Sequence, residues 1–272
     1  MTAPTSTRLI LEHLDEIRQT AGNARRILLL LDFDGTLAPI VESPGLAKLP
    51  EQTRSLIIKL NQEPRVTVAI ISGRALSDLR QRIGLDLIYA GNHGLEIEGP
   101  GLHFQAPDLS HARLALDKAA SDLAVRLQSV DGVLIENKGA SLSIHYRRAA
   151  PSSIPVILSA VESACAPYAH LVELHHGKKV FEVRPNVKWN KGTAAQWILR
   201  QLGDEGILPV CIGDDKTDED IFRALPASIS IKVGDGPTAA RYRVSSSDQV
   251  RDVLQEIYAL VKQRDSAAAG PR

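Results

Sequence analysis

Short apolar runs separated by polar segments recur along the chain, and this pattern predicts a layered α/β protein. The clearest run, residues 27–31, contains only Ile and Leu and lies between two arginines and an aspartate. A run so short and so apolar is typical of a strand buried on both faces, as in a parallel sheet covered by helices. Further strands of this core are predicted at 66–71, 85–90, 209–212 and 229–233. Helices of the core, indicated by apolar residues at helical spacing, are predicted at about 9–17, 51–60, 191–202 and 250–261.

The middle of the chain follows a different pattern. Residues 141–146 alternate polar and apolar side chains, which predicts a sheet with one packed face and one exposed face. Strands of this kind are predicted at 132–136, 141–146, 171–175 and 180–184, with helices at 109–127 and 154–166. We therefore expect a core domain formed by residues 1–106 and 187–272, and a small α+β domain inserted at 107–186.

Composition excludes several classes of protein. The 32 basic and 32 acidic residues cancel, which gives no support to a nucleic-acid or anionic-membrane surface. Two cysteines, Cys165 and Cys211, make neither a disulfide framework nor a zinc-site spacing. No apolar stretch approaches the ~20 residues of a membrane span or forms a signal-peptide core, so we expect a cytoplasmic protein. We expect the tail, residues 266–272, to be disordered.

Acidic residues lie where two predicted strands end. Asp32 and Asp34 follow the first core strand, and Asp214, Asp215 and Asp218 follow the fourth. Ligands of α/β sheets bind beyond the carboxyl ends of the strands. If these two strands are neighbours, the carboxylates converge, and a divalent cation such as Mg²⁺ would balance their like charges with oxygen ligands. The alternatives are an Asx turn after the first strand and a structural Ca²⁺ site, although the spacing does not fit an EF-hand loop.

Two other strand ends carry polar side chains. Ser72, Gly73 and Arg74 follow the second core strand, where a hydroxyl, a helix N-terminus and a guanidinium can bind phosphate or sugar oxygens. The alternative is an N-cap serine with a solvated arginine. Asn92 and His93 stand between two glycines after the third strand. They are either substrate contacts or turn residues that hydrogen-bond locally.

Four segments resemble the motifs of haloacid-dehalogenase-like phosphatases and follow in the same order: DFDGTL, ISGR, Lys191 before a helix, and GDDKTDED. The stretches GNHGLEIEGPG, ENKGASLSIHYR and GKKVFEVRP are similar to trehalose-6-phosphate phosphatases. The resemblance implies a Rossmann-like parallel-sheet hydrolase core with an inserted α+β cap domain that closes over the sugar. It also implies Mg²⁺-dependent hydrolysis of trehalose 6-phosphate, the last step of trehalose biosynthesis, through an aspartyl phosphate.

The resemblance further implies a role for each matching residue. Asp32 is the nucleophile, Asp34 is the general acid and base, and Lys191 with Ser72 holds phosphate oxygens. The Mg²⁺ ligands are the Asp32 side chain, the Asp34 main-chain carbonyl and Asp214, supported by Asp215 and Asp218. The remaining substrate-binding residues are Gly73, Arg74, Asn92 and His93 in the core, and Glu136, Arg147, Lys178 and Glu182 in the cap. For the four cap residues the alternative is an ordinary exposed charge on the wet face of a sheet.

Other functions stay open at this point. A phosphatase of sucrose, glucosylglycerate or mannosylglycerate phosphate, or a phosphomannomutase, would use the same core residues. A sugar-phosphate sensor without catalysis is disfavoured, because Asp32, Asp34, Lys191 and Asp214 are all present. We expect a small sugar-phosphate substrate, no nucleic-acid or membrane partner, and a monomer.

Overall fold

The structure, a computed structural model, describes residues 8–42, 44–203 and 205–268. The strands of these residues are β1 (Arg8–Leu9), β2 (Arg26–Leu31), β3 (Val66–Ile71), β4 (Ile88–Gly91), β5 (Glu96–Gly99), β6 (Leu102–Gln105), β7 (Leu134–Asn137), β8 (Leu142–His145), β9 (Val172–Gly177), β10 (Val180–Pro185), β11 (Ile207–Gly213), β12 (Ile229–Val233) and β13 (Tyr242–Val244). Their α-helices are α1 (Leu14–Asn23), α2 (Glu51–Asn61), α3 (Leu76–Ile83), α4 (Leu109–Arg126), α5 (Ile154–Cys165), α6 (Lys191–Gln201), α7 (Glu219–Ala224) and α8 (Ser247–Ala268).

A mostly parallel sheet forms the centre of the first compact unit, which comprises the described residues up to His103 and from Trp189 onward. The strand order is β1-β13-β12-β11-β2-β3-β4-β5-β6, and the pairs from β1 to β4 are parallel while β5 is antiparallel to β4. The predicted α/β class with a Rossmann-like parallel sheet is therefore confirmed. β2 lies between β11 and β3, so the carboxyl ends of these three strands are adjacent.

The apolar run that predicted β2 is buried on both faces. Residues 27–31 are at most 2% exposed. Leu29 and Leu31 belong to a core cluster that also contains buried residues of α1, α2 and α8. Each strand residue must face one layer or the other, so a strand covered on both sides consists mainly of apolar residues.

The second compact unit, Phe104–Lys188, has its own antiparallel sheet in the order β7-β8-β10-β9. The apolar face of this sheet carries Ile144, Phe181 and Val183, which pack in one core cluster with residues of α4 and α5. The opposite face is polar: Glu136, Ser143, Glu182 and His175 form one row, because each is paired with the next across the strands. The alternation seen in the sequence thus reports one packed and one polar face.

Some elements differ from the sequence-based expectation. The helix predicted from residue 9 begins at Leu14, because Arg8 and Leu9 extend the parallel sheet by pairing with β13. The short strands β5, β6 and β13 and the acid-rich helix α7 were not predicted, since runs of three to six residues carry little periodicity. The tail prediction was wrong for residues 266–268, which continue α8, and residues 269–272 lie outside the described residues.

Candidate active site

The acids that follow β2 and β11 meet, because the two strands are parallel neighbours with Leu31 opposite Ile212. One carboxylate oxygen from each of Asp32, Asp214 and Asp218 lies within 4.8 Å of the others. Asp32 and Asp218 are buried. Gly35, at φ +80°, lets the turn after β2 close on this cluster, since a Cβ there would stand 2.2 Å from Asp214 Oδ2. We call Asp32, Asp214 and Asp218 the carboxylate cluster.

Lys191 supplies a buried positive charge to the carboxylate cluster. Asn190 caps α6: its side chain accepts from the Thr193 backbone N–H, and the Thr193 hydroxyl oxygen accepts from the Asn190 backbone N–H. This capping box fixes Lys191 as the first residue of the helix. Its ammonium donates to Asp32 Oδ1 and to Asp218 Oδ1, both at 2.7 Å, and its side chain is 2% exposed.

The carboxylate cluster has more negative than positive charge around it. Burial raises the pKa of Asp32 well above its usual range, against the attraction of Lys191. Burial and the charge of Asp218 raise the pKa of Asp214 to about 7. Burial alone would lower the pKa of Lys191, but the charges of Asp218 and Asp32 outweigh it and raise that pKa. Three carboxylates have two lysines near them, Lys191 and, at the Asp214 main chain, Lys232, and this excess of negative charge leaves room for a further cation.

The donor set of the carboxylate cluster fits a hard divalent cation. Its oxygens are close enough to share one ion, and no cysteine or histidine of the described residues belongs to the group. Asp215, which we expected to support the metal, is exposed and lies outside the cluster. Its backbone N–H donates to Asp218 Oδ2 at 2.9 Å, so its main chain steadies a neighbouring acid.

Asp34 has a different partner from Asp32. Its two carboxylate oxygens accept from Arg74, Oδ2 from Nε and Oδ1 from Nη2, each at 2.6 Å. The Asp34 side chain is 42% exposed, whereas that of Arg74 is 7% exposed. Arg74 also donates from Nη1 to Asp78 at 2.8 Å. The two aspartates of the DFDGT segment thus bind different basic side chains, Lys191 and Arg74.

The residues predicted after β3 and β4 pack against each other. The His93 N–H donates to the Ser72 carbonyl at 2.9 Å, and the Asn92 N–H donates to the Arg74 carbonyl at 2.7 Å. A Cβ on Gly73 would stand 2.5 Å from a ring carbon of His93, so only glycine fits beneath this imidazole. Asn92 also donates from Nδ2 to Glu96 at 2.8 Å. Their role in binding substrate stays a prediction.

The four residues predicted in the cap occupy two kinds of place. Glu136 and Glu182 share the polar row of the second unit, as the alternation predicted. Glu182 is buried, accepts from Arg184 Nε at 3.0 Å and has Lys138 Nζ 3.8 Å away. Arg147 and Lys178 are exposed residues of the turns after β8 and before β10, outside the strands predicted at 141–146 and 180–184.

Several positioning contacts were missed from the sequence. Lys232, in the buried strand β12, donates to the Asp214 carbonyl. A lysine inside an apolar run could have indicated such a buried contact. Asp78 binds Arg74 four residues along the same segment, a spacing that indicates a pair. Glu219 is buried and accepts from Thr238 Oγ1 at 2.6 Å and from the Ala239 N–H at 2.7 Å.

Comparison with known proteins gives a consistent picture. The sequence profile of the trehalose-phosphatase family matches residues 30–249. A trehalose 6-phosphate phosphatase of Zea mays is 33% identical over 259 residues, which cover 87% of this chain and 71% of the maize protein. A trehalose-phosphate phosphatase of Mycobacterium tuberculosis is 37% identical over 245 residues, which cover 86% of this chain and only 62% of the mycobacterial protein.

Solved structures agree with the sequence relatives. A crystal structure described as a trehalose-6-phosphate phosphatase related protein has a TM-score of 0.78 at 27% identity, covering 87% of this chain and 99% of its own. The C-terminal domain of a C. albicans trehalose-6-phosphate phosphatase also reaches 0.78 at 24% identity, covering 95% and 99%, which shows the fold alone. Among the described residues, no helix combines the length and hydropathy needed to cross a membrane.

Proposed function

The chain belongs to the trehalose-phosphatase family, and from that premise we propose that it hydrolyses trehalose 6-phosphate to trehalose and phosphate. The observation that carries the proposal is the buried contact of Lys191 with Asp32 and Asp218, in a chain that matches the family over both strand ends. A fully buried lysine on two acids is costly to maintain for stability alone. Its position beside a candidate nucleophile favours a catalytic role.

In the proposed reaction, Asp32 attacks the phosphorus atom. A bond forms between a carboxylate oxygen and phosphorus, and the bond from phosphorus to the sugar oxygen breaks. Asp34 gives its proton to the departing sugar oxygen. Asp34 then takes a proton from the water that attacks the aspartyl phosphate, which releases phosphate and restores Asp32.

The remaining core residues neutralise and orient the phosphoryl group. Lys191 holds Asp32 Oδ1, so the attack would come from Oδ2, and the lysine charge offsets that of the transferring group. Ser72 is a buried residue of the turn that follows β3. In the proposed reaction its hydroxyl donates a hydrogen bond to a phosphate oxygen.

We propose Mg²⁺ as the cation of the site, held by the side chains of Asp32 and Asp214 and by the Asp34 main-chain carbonyl. Asp218 would support these ligands from within the carboxylate cluster, and Asp215 through its backbone N–H, which donates to Asp218. When bound, the ion supplies positive charge that stabilises the transferring phosphoryl group. All-oxygen ligands and a deficit of positive charge support this choice.

We propose that the second unit, Phe104–Lys188, is the cap and that its polar face reads the sugar. A disaccharide is recognised through hydroxyl pairs, which match carboxylates, lysines and arginines. Glu136 and Glu182 on the polar row, with Arg147 and Lys178 on the adjoining turns, are the candidate contacts. A monomeric assembly and a cytoplasmic location stay predictions.

The test is phosphate release from a panel of sugar phosphates by the purified chain. Trehalose 6-phosphate should be hydrolysed fastest in Mg²⁺, with activity lost in excess chelator and restored by added Mg²⁺. Asp32→Asn, which keeps the shape of the side chain but removes the nucleophile, should abolish turnover while the protein stays folded. Phosphate release from this variant within tenfold of wild type, or full activity in chelator, would refute the assigned roles. Preference for another sugar phosphate would change the assigned substrate but not the proposed reaction.

A further inference from the structure

Arg74 donates hydrogen bonds to other groups of the protein. Besides the fork on Asp34 and the bond to Asp78, its Nη2 donates to the Pro44 carbonyl at 2.8 Å. These hydrogen bonds occupy all but one of the guanidinium N–H groups. The guanidinium carbon also lies 5.2 Å from the centre of the Phe33 ring. A substrate could engage Arg74 fully only by breaking bonds that now hold Asp34.

Asp78, which accepts a hydrogen bond from Arg74, is itself held by a second arginine. Asp78 accepts from Arg74 on one side and from Arg82 Nε on the other, with each of its oxygens 2.8 Å from that nitrogen. Arg82 in turn donates to the Ala47 carbonyl at 2.7 Å. Two arginines and an aspartate thus connect α3 and the residues before it to the loop before α2. Arg74 is held from behind while its fork holds Asp34.

We infer that Arg74 is a positioning residue that aims the Asp34 carboxylate, rather than a direct ligand of the substrate; this rests on the proposed function, in which Asp34 moves the protons. An aspartate side chain has few torsions, and a bidentate fork fixes both oxygens at once. Asp34 is 42% exposed, so without the fork its carboxylate would be free to turn toward solvent. Misplacement of a catalytic group by about 1 Å is enough to cost on the order of a hundredfold in rate.

The inference predicts a kinetic signature. p-Nitrophenolate leaves without needing a proton, so formation of the aspartyl phosphate from p-nitrophenyl phosphate does not depend on Asp34. Attack of water on the aspartyl phosphate needs Asp34 for every substrate. Arg74→Met should therefore slow hydrolysis of the phosphoenzyme by about a hundredfold and produce a burst of nearly one nitrophenolate per enzyme.

The experiment uses the full chain with Mg²⁺, following nitrophenolate and phosphate by rapid mixing. Arg74→Lys keeps the charge but loses the fork, and it should slow phosphoenzyme hydrolysis by about tenfold. Arg80→Met is the matched control: Arg80 lies on α3, the helix that follows Arg74, is 57% exposed and pairs with Glu98, so wild-type kinetics are expected. In an Asp34→Asn background, Arg74→Met should add no further loss, because both changes act through one carboxylate.

Three results would overturn the inference. The first is a folded Arg74→Met enzyme that shows no burst of nitrophenolate with p-nitrophenyl phosphate. The second is an increase in KM alone, which would indicate a direct contact with phosphate. The third is wild-type kinetics in Arg74→Lys, the deciding variant if Arg74→Met does not fold. A wild-type chain that hydrolyses no phosphate ester would overturn the proposed function as well, which distinguishes that failure from the others.

Discussion

Removal of the Lys191 charge is expected to destabilise the metal-free protein strongly. Lys191 lies 2.7 Å from both Asp32 and Asp218, and all three side chains are at most 6% exposed. Lys191→Met keeps most of the side-chain volume but leaves two buried carboxylates without their shared partner. Breaking a buried ion pair by removing one member costs about 3–5 kcal/mol in the free energy of unfolding.

The repulsion between Asp32 and Asp218, which the Lys191 charge offsets in the wild type, gives a similar magnitude. Their ligand oxygens lie within 4.8 Å of each other. Two unit charges at that distance repel by ~3.5 kcal/mol at an effective dielectric constant of about 20. A loss of about 4 kcal/mol is a large share of the roughly 5–15 kcal/mol typical of a folded protein. At about 2–4 °C for each kcal/mol, Tm should fall by roughly 8–16 °C.

Thermal unfolding in chelator, followed by circular dichroism, measures this loss directly. Lys59→Met is the control, since Lys59 is an exposed residue of α2, and its free energy of unfolding should stay within about 0.5 kcal/mol of wild type. Added Mg²⁺ should raise the Tm of Lys191→Met more than that of wild type, because the ion replaces part of the missing charge. At roughly 2–4 °C per kcal/mol, a Tm within about 2 °C of wild type in chelator would mean a loss of about 1 kcal/mol or less in the free energy of unfolding. That result would refute this account of the lysine.

Two further predictions concern the metal and the sugar. Asp214→Ala should raise the Mg²⁺ concentration needed for half-maximal activity, and an unchanged Mg²⁺ titration would remove Asp214 from the ligands. Lys178→Ala and Glu182→Gln should each lower kcat/KM for trehalose 6-phosphate by about tenfold to a hundredfold and spare p-nitrophenyl phosphate, because a lost contact to a charged group costs ~1.5–3 kcal/mol. Lys118→Ala, a change at an exposed position of α4, is the control. Equal losses on both substrates would indicate damage to the core, and no loss on either would show that these two side chains do not bind the sugar.

Much of the core could be predicted from the sequence, because burial on both faces admits few residue types. The all-apolar run 27–31 identified the central strand by its residue types alone, and the acids at two strand ends predicted the edge of the sheet at which carboxylates meet. The alternation in 141–146 likewise predicted a sheet with one packed face. Local patterns were sufficient here because each reports a constraint that acts within a few neighbouring residues.

The tertiary structure decided which groups meet. No local pattern sets the distance between Lys191 and Asp32, which are 159 positions apart, or between Arg74 and Asp34, which are 40 apart. Their contacts depend on the order of strands in the sheet, which places β2 between β11 and β3. For the same reason no local pattern showed that Asp215 is exposed or that Arg74 donates to Asp34. Residue types and their spacing can be read along the chain, but only packing fixes which atoms of distant segments come within hydrogen-bonding distance.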